Sequence, residues 1–92
     1  MTIRDARRCE IPLNEIIEGG ETYNDMKSSA QSGDVKSMMD FGMWNEIQGD
    51  MHSEHSEYYY NQALYWYRRA WDKDSGCSGE QAYNELGERT KG

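Results

Sequence analysis

The chain has 92 residues, which is enough for one domain with a single modest core. Seven Tyr, three Trp and six Met supply most of its apolar surface, so the composition indicates a folded, aromatic-rich domain rather than a disordered one. The net charge of −7 argues against direct binding to nucleic acid or to an anionic membrane, because both require a basic surface.

The two cysteines, Cys9 and Cys77, are too few for a disulfide framework, although a bridge between them stays open. No apolar stretch is long enough for a signal peptide or a membrane span, so a cytoplasmic location is expected. Cys77 precedes a predicted helix, where a thiolate would be stabilised, but no base accompanies it at a recognisable spacing. We therefore expect an ordinary turn cysteine, no enzymatic activity and no cofactor.

Residues 1–20 are predicted to form an N-terminal arm that covers one end of the core. Pro12 interrupts any continuous helix, and Gly19 and Gly20 close a short turn at residues 13–17. The arm carries four isoleucines and one leucine, which favours a position against the body of the protein.

Two helices are predicted next. The first covers about residues 22–31, with a start at Thr22 that resembles a capping box and a stop at Gly33. The second begins after the cap Asp34 and ends near residue 47. Gly42 in its middle costs about 1 kcal/mol relative to alanine, which indicates close approach of a neighbouring helix. The expected inward residues are Tyr23, Met26, Ala30, Val35, Met38, Phe41, Gly42 and Asn45.

A long aromatic helix is predicted after a polar loop at residues 48–57, with Ser56 as its cap and an end near Asp74. Its apolar residues recur at the spacing of one helix face. A last helix covers residues 79 to about 90. The expected fold is therefore all-α, with four to five helices. The buried face of the long helix comprises Tyr60, Ala63, Leu64, Tyr67, Ala70 and Trp71, and that of the last helix Ala82, Tyr83 and Leu86.

The chain contains an internal repeat. Residues 33–42 and 79–87 each open at a glycine and end with a large apolar residue before a second glycine, Phe41-Gly42 and Leu86-Gly87. Residues 62–70, QALYWYRRA, resemble helix B of the Sel1-like repeats, which are relatives of the tetratricopeptide repeats, and the two apolar-glycine pairs resemble helix A. The resemblance covers roughly residues 23–88, one full unit between two half units. Departures from the family pattern are Asn45, the long loop at residues 49–55 and Trp71.

The resemblance implies a short antiparallel helix-turn-helix array at residues 21–92 whose helix A faces line a groove for a partner. Flexible methionines suit such a surface. Packing of Met39 and Met43 under the arm is an equally favoured alternative. Because so short an array has few neighbours to cover its ends, the last helix is expected to contact a partner or a second copy, which would form a homodimer. The predicted partner-binding residues are Lys36, Met39, Met43, Glu46, Gln81, Asn84 and Glu88.

The polar loop contains His52, Glu54 and His55, the one cluster of ligand types that could hold zinc or nickel. The stronger interpretation is a solvated loop whose acidic residues favour the start of the next helix. A metal-binding protein is accordingly the weakest of three functional hypotheses.

The leading hypothesis is a non-catalytic protein-interaction module, a stand-alone acidic adaptor or inhibitor whose partner has a basic surface. The alternative is an inhibitor of the kind encoded by phages or mobile elements, anti-CRISPR-like, that mimics nucleic acid and blocks a basic surface of a defence or regulatory protein. Because a mimic acts through charge, salt dependence separates the two.

Overall fold

Four α-helices make up most of the fold. The computed structural model describes residues 13–76 and 78–91, so Cys9, Pro12, Cys77 and the first twelve positions of the arm lie outside the described residues. Within these two ranges no strand occurs, and the prediction of an all-α fold is confirmed. None of the described helices is both long and apolar enough to cross a membrane. The helices are α1 (Glu21–Gln31), α2 (Val35–Met51), α3 (Ser56–Lys73) and α4 (Gly79–Lys91), with single 3-10 turns at Leu13–Glu15 and Ser53–His55.

The helices form a short array in which α2 packs against both α1 and α3, and α3 packs against α4. The described part of the arm, residues 13–20, lies against α2. Ile16 is buried there, and its carbonyl accepts a hydrogen bond of 3.0 Å from Nε1 of Trp44. This part of the arm therefore covers the core, as expected from its apolar residues.

The core consists of two clusters that share α3. The first lies between α1, α2 and α3 and includes Met38, Phe41 and Trp66. The second lies between α3 and α4 and contains Ala63, Tyr67 and Leu86. Since α3 is covered on two sides, the predicted stripe is only one of its buried faces. Trp66, which the stripe omitted, is buried on the other.

Two glycines of α2 allow the close packing against α3. A Cβ atom on Gly42 would lie 2.7 Å from Cε1 of Tyr67, and one on Gly49 would lie 2.7 Å from Cε1 of Tyr60. Both distances are far below van der Waals contact. The predicted close approach at Gly42 is confirmed, and Gly49 adds a second contact of the same kind two turns along the helix.

Several predicted boundaries were wrong. Helix α2 continues to Met51 rather than ending near residue 47, and Gln48 and Gly49 are buried instead of forming a loop. A polar segment can continue a helix when a neighbouring helix covers it, which local sequence does not reveal. Thr22 is not a cap, because α1 begins at Glu21 after Gly20.

The start of α3 also differs from the prediction. Ser56 is the first residue of α3, and its hydroxyl donates to the carbonyl of Ser53 instead of capping the helix. The boundary between α1 and α2 agrees with the prediction. The side chain of Asp34 accepts from the backbone N–H of Ser37 at 2.9 Å, and Gly33 adopts a φ of +107°, which favours glycine at a helix end.

Candidate functional site

The predicted partner-binding residues of α2 differ in their exposure. Lys36 is exposed and forms an ion pair of 3.0 Å with Asp40. Met39 is half-buried and packs against both core clusters, whereas Met43 is 44 % exposed. The alternative that Met39 and Met43 pack under the arm stays a prediction, because residues 1–12 of the arm lie outside the described residues.

Glu46 belongs to a polar network that joins α2, α3 and α4. Its carboxylate accepts hydrogen bonds from the hydroxyl of Tyr67 at 2.8 Å and from the guanidinium of Arg89. Arg89 also donates to Asp50 at 2.7 Å, and the hydroxyl of Tyr60 donates to the same carboxylate. Burial, followed by the hydrogen bond to Glu46, raises the pKa of Tyr67. This network stabilises the packing of α4 on the array.

The predicted residues of α4 are polar and exposed. Gln81 donates to Glu85 at 3.1 Å, and Asn84 and Glu88 face solvent. A polar outer face is typical of the last helix of a repeat array. Whether these positions bind a partner stays a prediction.

His52, Glu54 and His55 are exposed at the end of α2 and in the turn before α3. Across residues 13–76 and 78–91, no three His, Cys, Asp or Glu side chains are grouped closely enough to hold a metal ion. The described residues therefore contain no candidate metal centre at this turn.

An aromatic cleft lies between α1 and α3, with α2 as its floor. Its volume is about 280 Å³. It forms because α1 and α3 each pack on α2 rather than on each other. Seven described aromatic side chains line it: Tyr23, Phe41, Trp44, Tyr58, Tyr59, Tyr65 and Trp66. Asn45 of the floor, the wall residues Lys27, Gln31, Gln62 and Arg69, and Glu18 complete the lining.

Helical spacing aligns the side chains of each wall. On α1, Tyr23, Lys27 and Gln31 follow one another at intervals of four residues. On α3, Tyr58 and Tyr65 are two turns apart and therefore share one face. The cleft is consequently a groove that runs along the helices, and not a hole at one point of the surface.

Contacts between rings hold the walls of the aromatic cleft in place. The ring of Tyr23 meets that of Trp44 edge to face, with centroids 5.0 Å apart. Tyr58 and Tyr65 pack in the same manner on Tyr59 and Trp66, at 5.3 Å and 5.1 Å. Even so, Tyr58 is 59 % exposed and Tyr65 is 50 % exposed. The cleft thus presents apolar ring surface to solvent on an ordered support.

One carboxylate and two cations line the aromatic cleft. The carboxylate of Glu18 accepts a hydrogen bond of 2.9 Å from the hydroxyl of Tyr59, and this bond raises the pKa of Tyr59. The ammonium of Lys27 lies 5.8 Å from the centroid of the Tyr23 ring. The guanidinium of Arg69 lies 5.6 Å from the centroid of Tyr65.

The chain matches no protein-family model, no curated protein and no solved structure. The resemblance to Sel1-like repeats therefore stays a prediction, and the site is argued from its geometry.

The aromatic cleft was not predicted from the sequence, because only one face of the long helix was expected to be buried. A signal was present, since Tyr58, Gln62, Tyr65 and Arg69 recur at offsets of 0, 4, 7 and 11. These positions form a second stripe beside the buried one. The sequence did not indicate that α1 and α3 leave this stripe uncovered.

Proposed function

We propose that this protein is a non-catalytic protein-binding module that receives a segment of a partner protein in the aromatic cleft. The observation that carries the proposal is the exposure of Tyr58 and Tyr65, whose rings pack on the half-buried Tyr59 and the buried Trp66. Tyrosines with an apolar ring and a polar tip are enriched at protein interfaces, and an ordered ring loses little conformational entropy on binding.

The two rings are expected to contribute substantially to the free energy of binding, but not enough for micromolar affinity on their own. A partner that covers the exposed part of both rings removes roughly 200 Å² of surface from water, a gain of about 5 kcal/mol before the cost of association. Micromolar affinity requires about 8 kcal/mol net of that cost. The partner must therefore also contact the walls and the charged residues of the cleft, which supports a specific rather than a purely apolar ligand.

A binding role is favoured over a catalytic one by the character of the lining. Of the residues that line the aromatic cleft, Glu18 alone carries a carboxylate, and it is engaged with the hydroxyl of Tyr59. The rest of the lining is made of rings, amides and two cations, which suits recognition better than proton transfer. We place this function in the cytoplasm on the low cysteine content of the chain.

A crosslinking experiment tests the proposal. A photoreactive phenylalanine analogue at position 65 should crosslink a partner in the cell that produces the protein, and the same analogue at position 84 should not. The double variant Tyr58→Ser, Tyr65→Ser should lose the partner while it keeps its fold, because both side chains are exposed.

The matched control is Met43→Ser, which removes an exposed apolar side chain from the predicted surface of α2. Retention of the partner by Met43→Ser and its loss from the tyrosine variant supports the cleft. The opposite result would move the site to the helix A surface implied by the Sel1-like resemblance. Met43 is a better probe of that surface than Met39, whose substitution would also disturb the core.

A second candidate is the inhibitor that mimics nucleic acid. It is supported by the net charge of −7 and by Glu80, Glu85 and Glu88, which are exposed on α4. Binding to a basic partner would then weaken steeply with salt and compete with DNA or RNA. A homodimer formed through α4 stays a prediction, and light scattering across micromolar concentrations tests it.

A further inference from the structure

We infer that the occupant of the aromatic cleft is a short peptide segment of the partner protein in which an acidic residue accompanies an aromatic one. The carboxylate of that acidic residue is received between Lys27 and Arg69, and its aromatic ring packs on the exposed tyrosines. The inference rests on the proposed function, since it assigns a chemistry to the ligand of the same cleft.

The two cations are the first support. The chain has 17 acidic and 10 basic residues, so a cation has many carboxylates available. Lys36, Arg68 and Arg89 do form ion pairs. Lys27 and Arg69 form none with any carboxylate of residues 13–76 and 78–91. They lie on opposite walls of the same cleft, where a carboxylate from outside the chain would complement them.

The placement of Arg69 is the second support. Its guanidinium lies over the rings of Tyr65 and Trp66, and Nη1 donates to the hydroxyl of Tyr65 at 2.9 Å. These contacts orient the group and use one of its five N–H donors. An oriented guanidinium binds a carboxylate through two parallel hydrogen bonds and loses less entropy than a free side chain.

The length of the cleft limits how long a segment it can hold. Along α3 the wall from Tyr58 to Arg69 measures roughly 16 Å at 1.5 Å per residue. An extended chain covers this length with about five residues.

Charge also determines which part of the cleft receives the acidic residue. Glu18 repels a carboxylate near Tyr59, so the acidic residue belongs beside the cations Lys27 and Arg69. A polyanion such as a nucleic acid is disfavoured, because the net charge of −7 repels it as a whole. A single carboxylate flanked by apolar residues avoids this penalty.

The test is a selection of short random peptides, displayed on phage, against the full chain. We expect the selected sequences to combine Phe, Trp or Tyr with Asp or Glu within a few positions. A fluorescently labelled selected peptide should bind the double variant Lys27→Gln, Arg69→Gln about tenfold more weakly, as expected for lost hydrogen bonds to a charged group. The variant Arg68→Gln, which removes an exposed cation of α3 that pairs with Asp72 and does not line the cleft, should bind as the wild type does.

Four results would overturn the inference. Selected peptides that lack acidic residues, or a labelled peptide that binds the Lys27→Gln, Arg69→Gln variant unchanged, would refute the carboxylate. If such a peptide still lost affinity for the Tyr58→Ser, Tyr65→Ser variant, the cleft would remain the binding site and only the ligand chemistry would be wrong. A selection that yields no peptide, or one insensitive to all four substitutions, would count against both the inference and the proposed function.

Discussion

The substitution Gly42→Ala tests the packing of α2 on α3, on which the rest of the fold depends. The added methyl carbon would lie 2.7 and 2.8 Å from two ring carbons of Tyr67 and 3.4 Å from the carbonyl oxygen of Ala63. The Tyr67 ring is only 1 % exposed, and the 2.8 Å hydrogen bond to Glu46 holds its far end. The ring therefore cannot move away without breaking that bond or displacing α4.

Opposing effects set the size of the change. Overpacking a core costs about 1–3 kcal/mol, and a weakened hydrogen bond to Glu46 adds up to about 1 kcal/mol. Alanine gains about 1 kcal/mol over glycine as a helix former. The net expectation is a loss of about 2 kcal/mol in the free energy of unfolding, which for a domain of this size lowers Tm by roughly 8–16 °C.

Gly87→Ala is the matched control. Gly87 also lies within a helix, but a Cβ atom there would meet nothing within 4 Å. This variant should therefore gain about 0.5–1 kcal/mol from helix propensity alone. Urea unfolding of both variants, followed by circular dichroism, measures the difference.

The reasoning would be refuted if Gly42→Ala were as stable as the wild type, or if both substitutions shifted stability in the same direction. A further check uses the Tyr67→Leu background, in which the ring is absent. There Gly42→Ala should no longer be destabilising, and an unchanged cost would mean that the ring is not its cause.

Three other predictions follow from the same core. Trp44→Phe removes the donor to the buried carbonyl of Ile16 and should lower the free energy of unfolding, measured in urea, by about 1–3 kcal/mol. Amide exchange in residues 13–20 should become faster. Unchanged exchange would contradict the role of this hydrogen bond. Arg89→Gln leaves Glu46 without its cation and should lower stability by up to about 1 kcal/mol at low salt, a loss that should shrink in about 1 M salt. The pKa of Tyr67 is raised in the folded state, so this tyrosine ionises first in the unfolded chain as the pH rises above 10. Its contribution to the free energy of unfolding is therefore complete below pH 10, and stability should decline above pH 10 by up to about 1.4 kcal/mol per pH unit. A Tyr67→Phe variant with the same decline would refute the assignment.

Much of the helical framework could be predicted from the sequence because its signals are local. Asp34 caps a helix through a side chain three residues from its partner, and Gly33 ends the preceding one through its own backbone geometry. The face that contains Ala63, Tyr67 and Ala70 follows from helical spacing, and all three are buried. These features depend on neighbours within a turn or two of the chain.

The remaining features depend on which helix packs against a given segment, and the local sequence does not reveal this. Gln48 and Gly49 look like loop residues until the ring of Tyr60 covers the glycine. Trp66 falls outside the predicted stripe because α3 is buried on two sides. The aromatic cleft arises from the separation of α1 and α3, which is set by helix packing and not by any local pattern.

The two glycines of α2 also have a consequence for recognition. Gly49 lies seven residues after Gly42 on α2, and Tyr60 lies seven residues before Tyr67 on α3. The two glycine–tyrosine contacts therefore share one antiparallel register. Sliding α2 by one turn, about 5.4 Å, would bring side chains against both rings, since α2 contains no other glycine. The floor of the cleft is thus fixed relative to its α3 wall before any ligand arrives. A partner would have to adapt to this shape, and the entropy lost on binding would fall mainly on the partner.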